Sequence, residues 1–550
     1  MPSILKRALA RPSVWLFVLV GAAALVLLLS IFARLYSPEY GLTRLIVIGS
    51  ALDERGLASF RAVPKYLDPY PLHRWGSDGQ YYAELALDPL LRDPQLRTAL
   101  DDPPYRARRI LLSWLAWVGG LGRPAWVLNA YASLNLVFWV GFAFMMGKLF
   151  RPHGWAGLAG FSAMLLTCGV VECVSSSFTD FPGFVLLTLG AMIGGAGGAG
   201  VLSLAALTRE PNLLGVVALW RYRPPWIDAL RRNALLAAIV AAPLALWFCY
   251  VVWRLGFSPS PTGHNLVWPL QGIMGKLGEF TVVADHGHIR WHRWFFELYK
   301  SPELHAVLTI VAALTQCVYV FTHRDWENRV WRVGALFAPY FLCISFLSWE
   351  SHFTITRHLL PVTLAFNLVL ASRPRRAWAL WFLLGNCFVP FGIYQFSEYL
   401  GMNRDTPPPP AEYSVVPAAS DAAGISVRFG SGWTLQEWDD RGTWRRATGS
   451  AASLVLVNSG NVPCPVELAF TAGSRNPRDL KIAARGTVLW SGHLGDTPLG
   501  VRTARLLLPP GETAVEFITP EPGVPSGEIG DRRTFTFTIR NLQLRFAGPP

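Results

Sequence analysis

Asp78, inside the stretch Trp75–Tyr82, is the first residue whose surroundings could support chemistry. Glycines on both sides allow the backbone to turn tightly around it, and a partly buried carboxylate is a suitable general base. Tyr81 and Tyr82 follow in the same stretch, and their rings could stack on a sugar or anchor at a lipid interface. The alternative is an ordinary Asp-Gly turn with interfacial aromatic residues.

A later loop carries residues that could hold a metal ion. Asp285, His286 and His288 place a carboxylate beside a His-x-His pair, but this spacing fits neither a zinc finger nor a helical HExxH site. The tryptophans and phenylalanines that follow favour an amphipathic surface instead. We therefore assign no cofactor and keep a divalent cation at these residues as the weaker alternative.

The composition is typical of a polytopic membrane protein. Hydrophobic residues occupy 52% of the 550 positions and charged residues only 15%. Apolar runs recur up to about residue 397, and a run of about 18 residues is long enough for a membrane-spanning helix. The net charge is +13, but many basic residues stand in short loops between apolar runs. There they determine membrane topology, so the charge does not indicate a nucleic-acid partner.

The basic loops predict the direction of each span. Lys6, Arg7 and Arg11 precede the first apolar run, which puts the N-terminus in the cytoplasm. A long external loop follows at about 36–123, and its apolar end at 110–121 is too short to span and is predicted to be an interfacial or re-entrant helix. With that assignment the later basic loops fall inside. The result is an α-helical polytopic domain over 1–397 with about eleven transmembrane helices and a second external loop at about 257–303.

The pattern changes at the end of the chain. Four prolines at 407–410 mark a stiff linker over about 398–412. From 413 to 550, short alternating strands separated by turn residues predict a soluble all-β sandwich, jelly-roll-like and outside the cytoplasm. Its tryptophans, among them Trp433 and Trp490, could form a carbohydrate platform, but we expect them to be core residues.

Several short motifs, taken in their order along the chain, resemble the C-type (GT-C) glycosyltransferase superfamily, whose members are polytopic enzymes that use lipid-phosphate-linked sugars. The motifs are Leu45–Gly49, Ser77–Tyr82, Ala86–Pro89, Tyr105–Leu111, Phe178–Pro182, Leu207–Glu210 and Thr356–Pro361. The resemblance covers about residues 14–400, and the tail is similar to the carbohydrate-binding-like sandwich of some bacterial members. The resemblance implies a GT-C-like fold. It also implies a multi-pass protein of the bacterial inner membrane whose C-terminal domain is periplasmic or extracellular.

The resemblance also implies a reaction. Members transfer a sugar from a polyprenyl-phosphate donor to an extracytoplasmic glycan, lipid or protein, and they invert the anomeric centre. Their catalytic carboxylate lies in the first external loop, which carries over to Asp78 as the general base. Some branches use an Asp-Glu pair shortly after the first helix, so Asp53 and Glu54 are the alternative. The simpler interpretation of that pair is two solvated loop charges.

Basic residues on the same predicted side are candidates for the donor phosphate. Arg357 and His358 come just before an inward-running helix, and arginine binds phosphate in a bidentate manner. Their alternative is an interfacial position that reaches lipid headgroups. Arg209 is a further candidate. Arg109 is another, although we favour headgroup contact there.

Substrate contacts are predicted on this side of the membrane as well. The candidate residues are Tyr81, Tyr82, Asp180 and Glu210. Arg209 and Glu210 stand at a predicted helix break, so a structural ion pair between them is the alternative for both.

Two other functions stay open. A transporter or flippase of a lipid-linked glycan would favour internal repeats and polar residues in the middle of helices. No clear repeat is found, and Glu172 is the main carboxylate within an apolar run. The second is a non-catalytic glycan-binding membrane protein, in which the sandwich carries the function.

Overall fold

The structure is a computed structural model, and it describes two compact units, one helical and one all-β. The described residues are 12–49, 56–67, 76–256, 265–277, 302–349, 352–373, 377–401, 425–433, 437–439, 442–495, 497–525 and 534–546. Several predictions fall on other residues. These are the N-terminal basic cluster, the Asp53–Glu54 pair, the four-proline linker and the Asp285, His286 and His288 group.

The helical unit contains long apolar helices together with short helices in its first loop. Its α-helices are α1 Val14–Leu35, α2 Ala58–Arg61, α3 Asp78–Leu85, α4 Leu96–Ala99, α5 Pro103–Ala107, α6 Leu111–Gly119, α7 Pro124–Phe150, α8 Gly154–Leu166, α9 Cys168–Ser175, α10 Asp180–Ile193, α11 Gly195–Thr208, α12 Trp226–Leu255, α13 Pro302–Thr322, α14 Arg329–Leu342, α15 His352–Ser372, α16 Trp378–Gly385 and α17 Val389–Gly401. Its 3-10 helices are Thr43–Ile46, Arg151–His153, Glu210–Leu219 and Phe346–Trp349.

Five helical stretches among the described residues are long and apolar enough to cross a membrane by length and composition. They are Val14–Leu35, Pro124–Ser175, Trp226–Leu255, Leu304–Thr322 and Ile355–Ser372. The pair α16 and α17, bent by 49°, adds a sixth if it forms one span. These helices indicate a membrane protein.

The expected number of about eleven spans is not confirmed. The predicted spans around residues 181–220 correspond to α10, α11 and the 3-10 helix Glu210–Leu219, of 14, 14 and 10 residues. An α-helix of 14 residues is about 21 Å long, whereas the hydrocarbon core of a bilayer is about 30 Å thick. The apolar segment predicted at 110–121 folds as α6, which has only nine residues.

Close packing between broken helices fixes the position of α15. The long apolar stretch of α8 and α9 breaks at Thr167, which has extended backbone. A Cβ on Gly169, just after this break, would lie 2.7 Å from the carbonyl oxygen of Thr356 on α15. Because glycine has no Cβ, α9 packs directly against the part of α15 that carries Arg357 and His358.

The all-β unit is a sandwich of two antiparallel sheets. Its strands are β1 Ile425–Phe429, β2 Glu437–Asp439, β3 Gly442–Arg446, β4 Ala451–Asn458, β5 Cys464–Gly473, β6 Arg478–Ala484, β7 Thr487–Leu494, β8 Leu499–Arg502, β9 Leu506–Leu508, β10 Gly511–Ile518, β11 Val524–Pro525, β12 Thr534–Phe535 and β13 Thr538–Phe546. One sheet has the order β1-β4-β10-β6-β7 and the other β2-β3-β13-β5-β8, with β9 paired to β5. Strands β11 and β12 form a separate pair.

Alternate residues of both sheets point inward and form one hydrophobic core. Strand β4 shows this clearly, since its residues alternate between buried and less buried positions. Trp433 packs against the rings of Phe517 and Phe537 at centroid distances of 5.2 and 5.6 Å. Its indole N–H donates to the carbonyl oxygen of Ser453 at 2.9 Å. Trp433 is therefore partly buried and packs against the core of the sandwich.

Candidate functional site

Asp78 is the first residue of helix α3 rather than part of an isolated turn. Ser77 caps the helix, and its side chain accepts a hydrogen bond from the backbone N–H of Gly79. The same hydroxyl donates to the carbonyl oxygen of Ile46 at 2.9 Å, while the side-chain oxygen of Gln80 accepts from the N–H of Gly49 at 2.9 Å. These contacts fix the start of α3 against the preceding loop segment, so the backbone of Asp78 is held firmly.

Gly79 brings α3 close to a second functional segment. A Cβ at this position would lie 2.7 Å from the carbonyl oxygen of Ser176, in the loop that leads to Asp180 at the start of α10. That loop is itself anchored by α7. Tyr131 donates to the carbonyl oxygen of Ser177 at 3.0 Å, and Asn135 donates to that of Phe178 at 3.1 Å. The first residues of α3 and α10 are thus brought side by side.

The carboxylate of Asp78 contacts two arginines. Its Oδ1 lies 3.0 Å from Nη1 of Arg106, and its Oδ2 lies 3.4 Å from Nη2 of Arg357. The Asp78 side chain is 38% exposed, whereas those of Arg106 and Arg357 are 10% and 9% exposed. The carboxylate is therefore the accessible member of this group.

Arg106 is held in place by other contacts. Its Nε and Nη2 donate to the two carboxylate oxygens of Asp101 at 2.8 and 2.6 Å. Its guanidinium carbon lies 4.3 Å from the centre of the Tyr81 ring. All three nitrogens of Arg106 therefore have carboxylate partners, and Tyr81 supports the arginine by stacking.

Arg109 is also fully engaged. Its three nitrogens donate to Glu210 at 3.1 Å, to the hydroxyl of Tyr82 at 3.1 Å and to the hydroxyl of Tyr105 at 2.7 Å. Tyr82 is only 1% exposed, so its ring does not face solvent. The predicted pairing of Glu210 with Arg209 is wrong, because Glu210 pairs with Arg109 instead.

Arg209 belongs to a deeper cluster with Asp180 and His358. It forms an ion pair with Asp180, and its Nη1 lies 2.7 Å from Nδ1 of His358. Since an arginine nitrogen can only donate, Nδ1 of His358 must accept. The neutral ring then carries its proton on Nε2.

Arg357 joins this cluster to Asp78. Its Nη1 lies 3.4 Å from Oδ2 of Asp180, and its guanidinium carbon lies 4.3 Å from the centre of the Phe178 ring. Among the described residues, its Nε and Nη1 are buried and have no hydrogen-bond partner, and neither has Nε of Arg209. Buried donors without partners are costly, so these nitrogens are available to an anionic ligand.

The charges around Asp78 determine its ionisation. Burial raises the pKa of this carboxyl, but the positive charges of Arg106, Arg357 and Arg109 lower it by more. The pKa of Asp78 therefore lies well below its ordinary value of 3.8. In the arrangement observed here, the carboxylate is ionised at every physiological pH. Burial and nearby acidic groups act in the opposite direction on the Tyr81 hydroxyl and raise its pKa far above 10.0.

The structure brings the described candidates into one cluster. Contacts link Asp78 through Arg357 to Asp180, Arg209 and His358, and a neighbouring group contains Arg109, Glu210 and Tyr82. The sequence analysis missed Asp101 and Tyr105, which hold Arg106 and Arg109. The pair Asp101–Asp102 directly before two prolines was an available signal, since an aspartate before proline is typical of a helix start. No group of three His, Cys, Asp or Glu residues within the described part of the chain is arranged to hold a metal ion.

Comparison with known proteins gives only weak likenesses. No protein-family model matches the chain, and no curated protein matches its sequence. The arabinosyltransferase EmbB from Mycobacterium smegmatis is 11% identical, with 96% of this chain and 64% of that chain covered and a TM-score of 0.14. The carbohydrate-binding module CBM36 in complex with calcium and xylotriose is 12% identical, with 22% of this chain and 94% of that chain covered and a TM-score of 0.14.

A third structure is similar over the same fraction of the chain as the carbohydrate-binding module. The GH26-CBM35 β-(1,4)-mannanase from Podospora anserina is 12% identical, with 23% of this chain covered and a TM-score of 0.16. The match spans only 29% of the mannanase chain. TM-scores this low carry no argument about function, so any function must be argued from the cluster around Asp78.

Proposed function

We propose that this protein is a membrane glycosyltransferase that transfers a sugar from a polyprenyl-phosphate donor to an extracytoplasmic glycan, lipid or protein. The observation that carries the proposal is the contact between the partly exposed carboxylate of Asp78 and Arg357, which keeps buried donors without partners. Sugar transfer from a phosphate needs a base for the acceptor and positive charge for the leaving phosphate. Asp78 and Arg357 supply these two functions side by side.

The proposed reaction is a single displacement. The oxygen of an acceptor hydroxyl attacks the anomeric carbon of the donor sugar, and Asp78 accepts the hydroxyl proton as the new bond forms. The bond from the anomeric carbon to the phosphate oxygen breaks, and the polyprenyl phosphate leaves with the electron pair. Attack opposite to the phosphate inverts the anomeric centre. This route needs only one catalytic carboxylate, the base. Glycoside hydrolases need a second carboxyl group because it protonates their leaving group, whereas here the phosphate leaves as an anion.

Arg357 is proposed as the principal ligand of the donor phosphate. Arg209 lies nearby and has a buried Nε–H without a protein partner among the described residues, and His358 contacts Arg209. Guanidinium donors bind phosphate strongly in a water-poor site. Each nitrogen of Arg109 already donates to a partner, namely Glu210, Tyr82 or Tyr105. We therefore move Arg109 from phosphate binding to a supporting role.

Three of the residues predicted to contact the substrate, Tyr81, Tyr82 and Asp180, contact arginines instead. Tyr81 stacks on Arg106, and Tyr82 is buried beneath Arg109. Asp180 has a side chain that is only 7% exposed between two arginines. We propose that these residues orient the arginines, and that the acceptor approaches from the exposed side of Asp78.

The proposed location is a bacterial inner membrane, with the N-terminus in the cytoplasm and the sandwich outside. The support is the order of basic loops along the sequence. A reporter inserted after Phe150, at the end of α7, tests this topology. We expect a cytoplasmic signal, and an external signal would reverse the predicted side of every later loop.

Transfer by the purified full chain tests the proposed activity. Wild type and Asp78→Asn are supplied with polyprenyl-phosphate sugars, and the asparagine variant is expected to lose about 10²- to 10⁴-fold in rate, the usual contribution of a general base. Asp228→Asn is the matched control, because this aspartate is exposed in the first turn of α12. Intact transfer by Asp78→Asn would reject the base assignment. Translocation of the lipid without transfer would favour a flippase.

A further inference from the structure

The two contacts of Asp78 differ in strength. The 3.0 Å distance to Arg106 is typical of a charge-assisted hydrogen bond, whereas the 3.4 Å distance to Arg357 is long. Such bonds are usually about 2.7–2.9 Å. Arg106 is also fixed by two short bonds to Asp101. The contact with Arg357 is therefore the one that a ligand can replace most easily.

The geometry of the Arg357 guanidinium makes this replacement specific. Nε and Nη2 lie on one edge of the planar group, which is an edge that an anion binds with two parallel hydrogen bonds. Nη2 contacts Asp78, and Nε has no hydrogen-bond partner among the described residues. An anion that occupies this edge binds Nη2, the nitrogen that now contacts the carboxylate, and so competes with Asp78 for it. Asp78 is the more exposed partner of this contact.

Two of the neighbouring arginines, Arg106 and Arg109, offer no comparable edge. Arg106 directs Nε and Nη2 to Asp101, and Arg109 uses each of its nitrogens in hydrogen bonds. An anion could bind to either only by breaking several of these bonds. Arg209 also has a buried Nε without a partner among the described residues, but Arg357 combines such a donor with a contact to the proposed base.

We propose that the donor phosphate and Asp78 compete for Arg357, so that donor binding releases the base from one of its two arginines. The inference rests on the proposed function and adds a coupling between its two sites. Before the donor binds, both oxygens of Asp78 are occupied by arginines, and the carboxylate is a weak base. Once phosphate neutralises Arg357, Asp78 keeps only Arg106 and accepts a proton more readily. The base is thereby activated when a sugar is in place.

Coupling of this kind is reciprocal. If an anion at Arg357 raises the affinity of Asp78 for a proton, then protonation of Asp78 must strengthen anion binding by the same factor. The substitution Asp78→Asn removes the same negative charge. The unusual consequence is that a variant without the base binds the donor phosphate more tightly. A base that acts independently of Arg357 would leave the affinity unchanged.

Equilibrium binding of farnesyl phosphate, a short isoprenyl monophosphate, to the full chain in lipid nanodiscs tests the coupling. Calorimetry compares wild type, Asp78→Asn, Arg357→Gln and the double variant. We expect Asp78→Asn to bind about five- to tenfold more tightly, at the lower end of typical coupling factors. Arg357→Gln should bind weakly, and Asp78→Asn should bring no gain in that background. Farnesol, which lacks the phosphate, should bind all four proteins equally.

A matched control separates competition from a general change in charge. Asp101→Asn also removes one negative charge, but Asp101 pairs with Arg106 and not with Arg357. We expect a smaller gain than in Asp78→Asn. Equal gains in the two variants, no gain in Asp78→Asn, or a gain that persists in Arg357→Gln would each overturn the proposal. If Arg357→Gln does not fold, Arg357→Lys replaces it, since lysine keeps the charge but lacks the planar edge.

The binding experiment tests the coupling separately from the transfer activity, because farnesyl phosphate carries no sugar. Loss of transfer in Asp78→Asn with unchanged farnesyl phosphate affinity would overturn the coupling and leave the glycosyltransferase proposal intact. Tighter binding in Asp78→Asn, together with no transfer by wild type from any donor, would support the anion competition and reject the transfer activity.

Discussion

Arg109 donates from Nε to Oε2 of Glu210 at 3.1 Å, which ties the segment between α1 and α7 to the 3-10 helix that follows α11. The arginine side chain is 10% exposed and that of the glutamate 28%. This ion pair therefore connects two segments that each carry residues of the candidate site. It also leaves Arg209, the neighbour of Glu210 in sequence, free to contact Asp180.

We predict that Glu210→Gln destabilises the protein without removing any proposed catalytic group. The substitution leaves the Arg109 guanidinium largely buried and without its carboxylate, which should lower the free energy of unfolding by about 2 kcal/mol. Thermal unfolding of the full chain in detergent measures the effect. Glu327→Gln is the control, because its ion pair with Arg223 lies between side chains 79% and 76% exposed and should contribute little. Equal melting temperatures for the two variants would contradict the prediction.

The choice between Asp78 and the Asp53–Glu54 pair has a direct test. We expect the double variant Asp53→Asn/Glu54→Gln to keep its transfer rate within about threefold, since loop charges without a chemical role have small effects. Asp78→Asn should lose about 10²-fold or more. The maximum rate with saturating donor distinguishes them. A large loss in the double variant with an active Asp78→Asn would move the base to the earlier pair.

The sequence singled out most of the residues that cluster around Asp78 in the structure, but not their pairings. Long apolar runs and the alternating tail indicated the two units, and one predicted membrane side brought Asp78, Asp180 and Arg357 together. The ion pair expected between Arg209 and Glu210 does not form, and the reason is the local backbone conformation. Arg209 has extended backbone, with φ −157° and ψ 132°, and successive side chains of an extended chain point to opposite sides. Sequence adjacency therefore separates these two side chains.

The number of spans could not be predicted for a related reason. Hydropathy identifies an apolar helix, but it does not distinguish a helix that faces lipid from one buried among other helices. Helix α10 is apolar, and ten of its 14 residues are buried inside the unit. Likewise, Asp101 contacts Arg106 through a turn of the loop that no apolar pattern indicates. Such contacts depend on the tertiary arrangement of the first loop.

Asp78 should make stability depend on pH in a defined direction. Its pKa in the folded protein is below the ordinary 3.8, so ionised Asp78 stabilises the fold above about pH 4, and this contribution is lost as the pH falls through the folded pKa. The group is 38% exposed, so we expect no more than about 1 kcal/mol. Unfolding of wild type and Asp78→Asn at pH 7 and pH 3 provides the measurement. Asparagine should be the less stable variant at pH 7, with a smaller difference at pH 3, and a difference that grows on acidification would refute the sign.

Gly79→Ala tests whether the close approach of α3 to the α10 loop positions Asp78. The new Cβ would lie 2.7 Å from the carbonyl oxygen of Ser176, so the start of α3 must move, although every proposed catalytic group is retained. A shift of about 1 Å can reduce the rate about 10²-fold, because the base must remain aligned with the acceptor hydroxyl. We therefore expect a large fall in the maximum transfer rate, while farnesyl phosphate affinity stays within a few-fold of wild type.

The matched control is Gly141→Ala in helix α7. A Cβ there meets no atom within 4 Å, and alanine favours a helix over glycine by about 1 kcal/mol. This variant should be as active as wild type and at least as stable. Similar loss of activity in both variants would mean that any added methyl group disturbs the fold. Full activity in Gly79→Ala would show that α3 tolerates displacement, and the position of Asp78 would then have to be set by its arginine partners rather than by the packing of its helix.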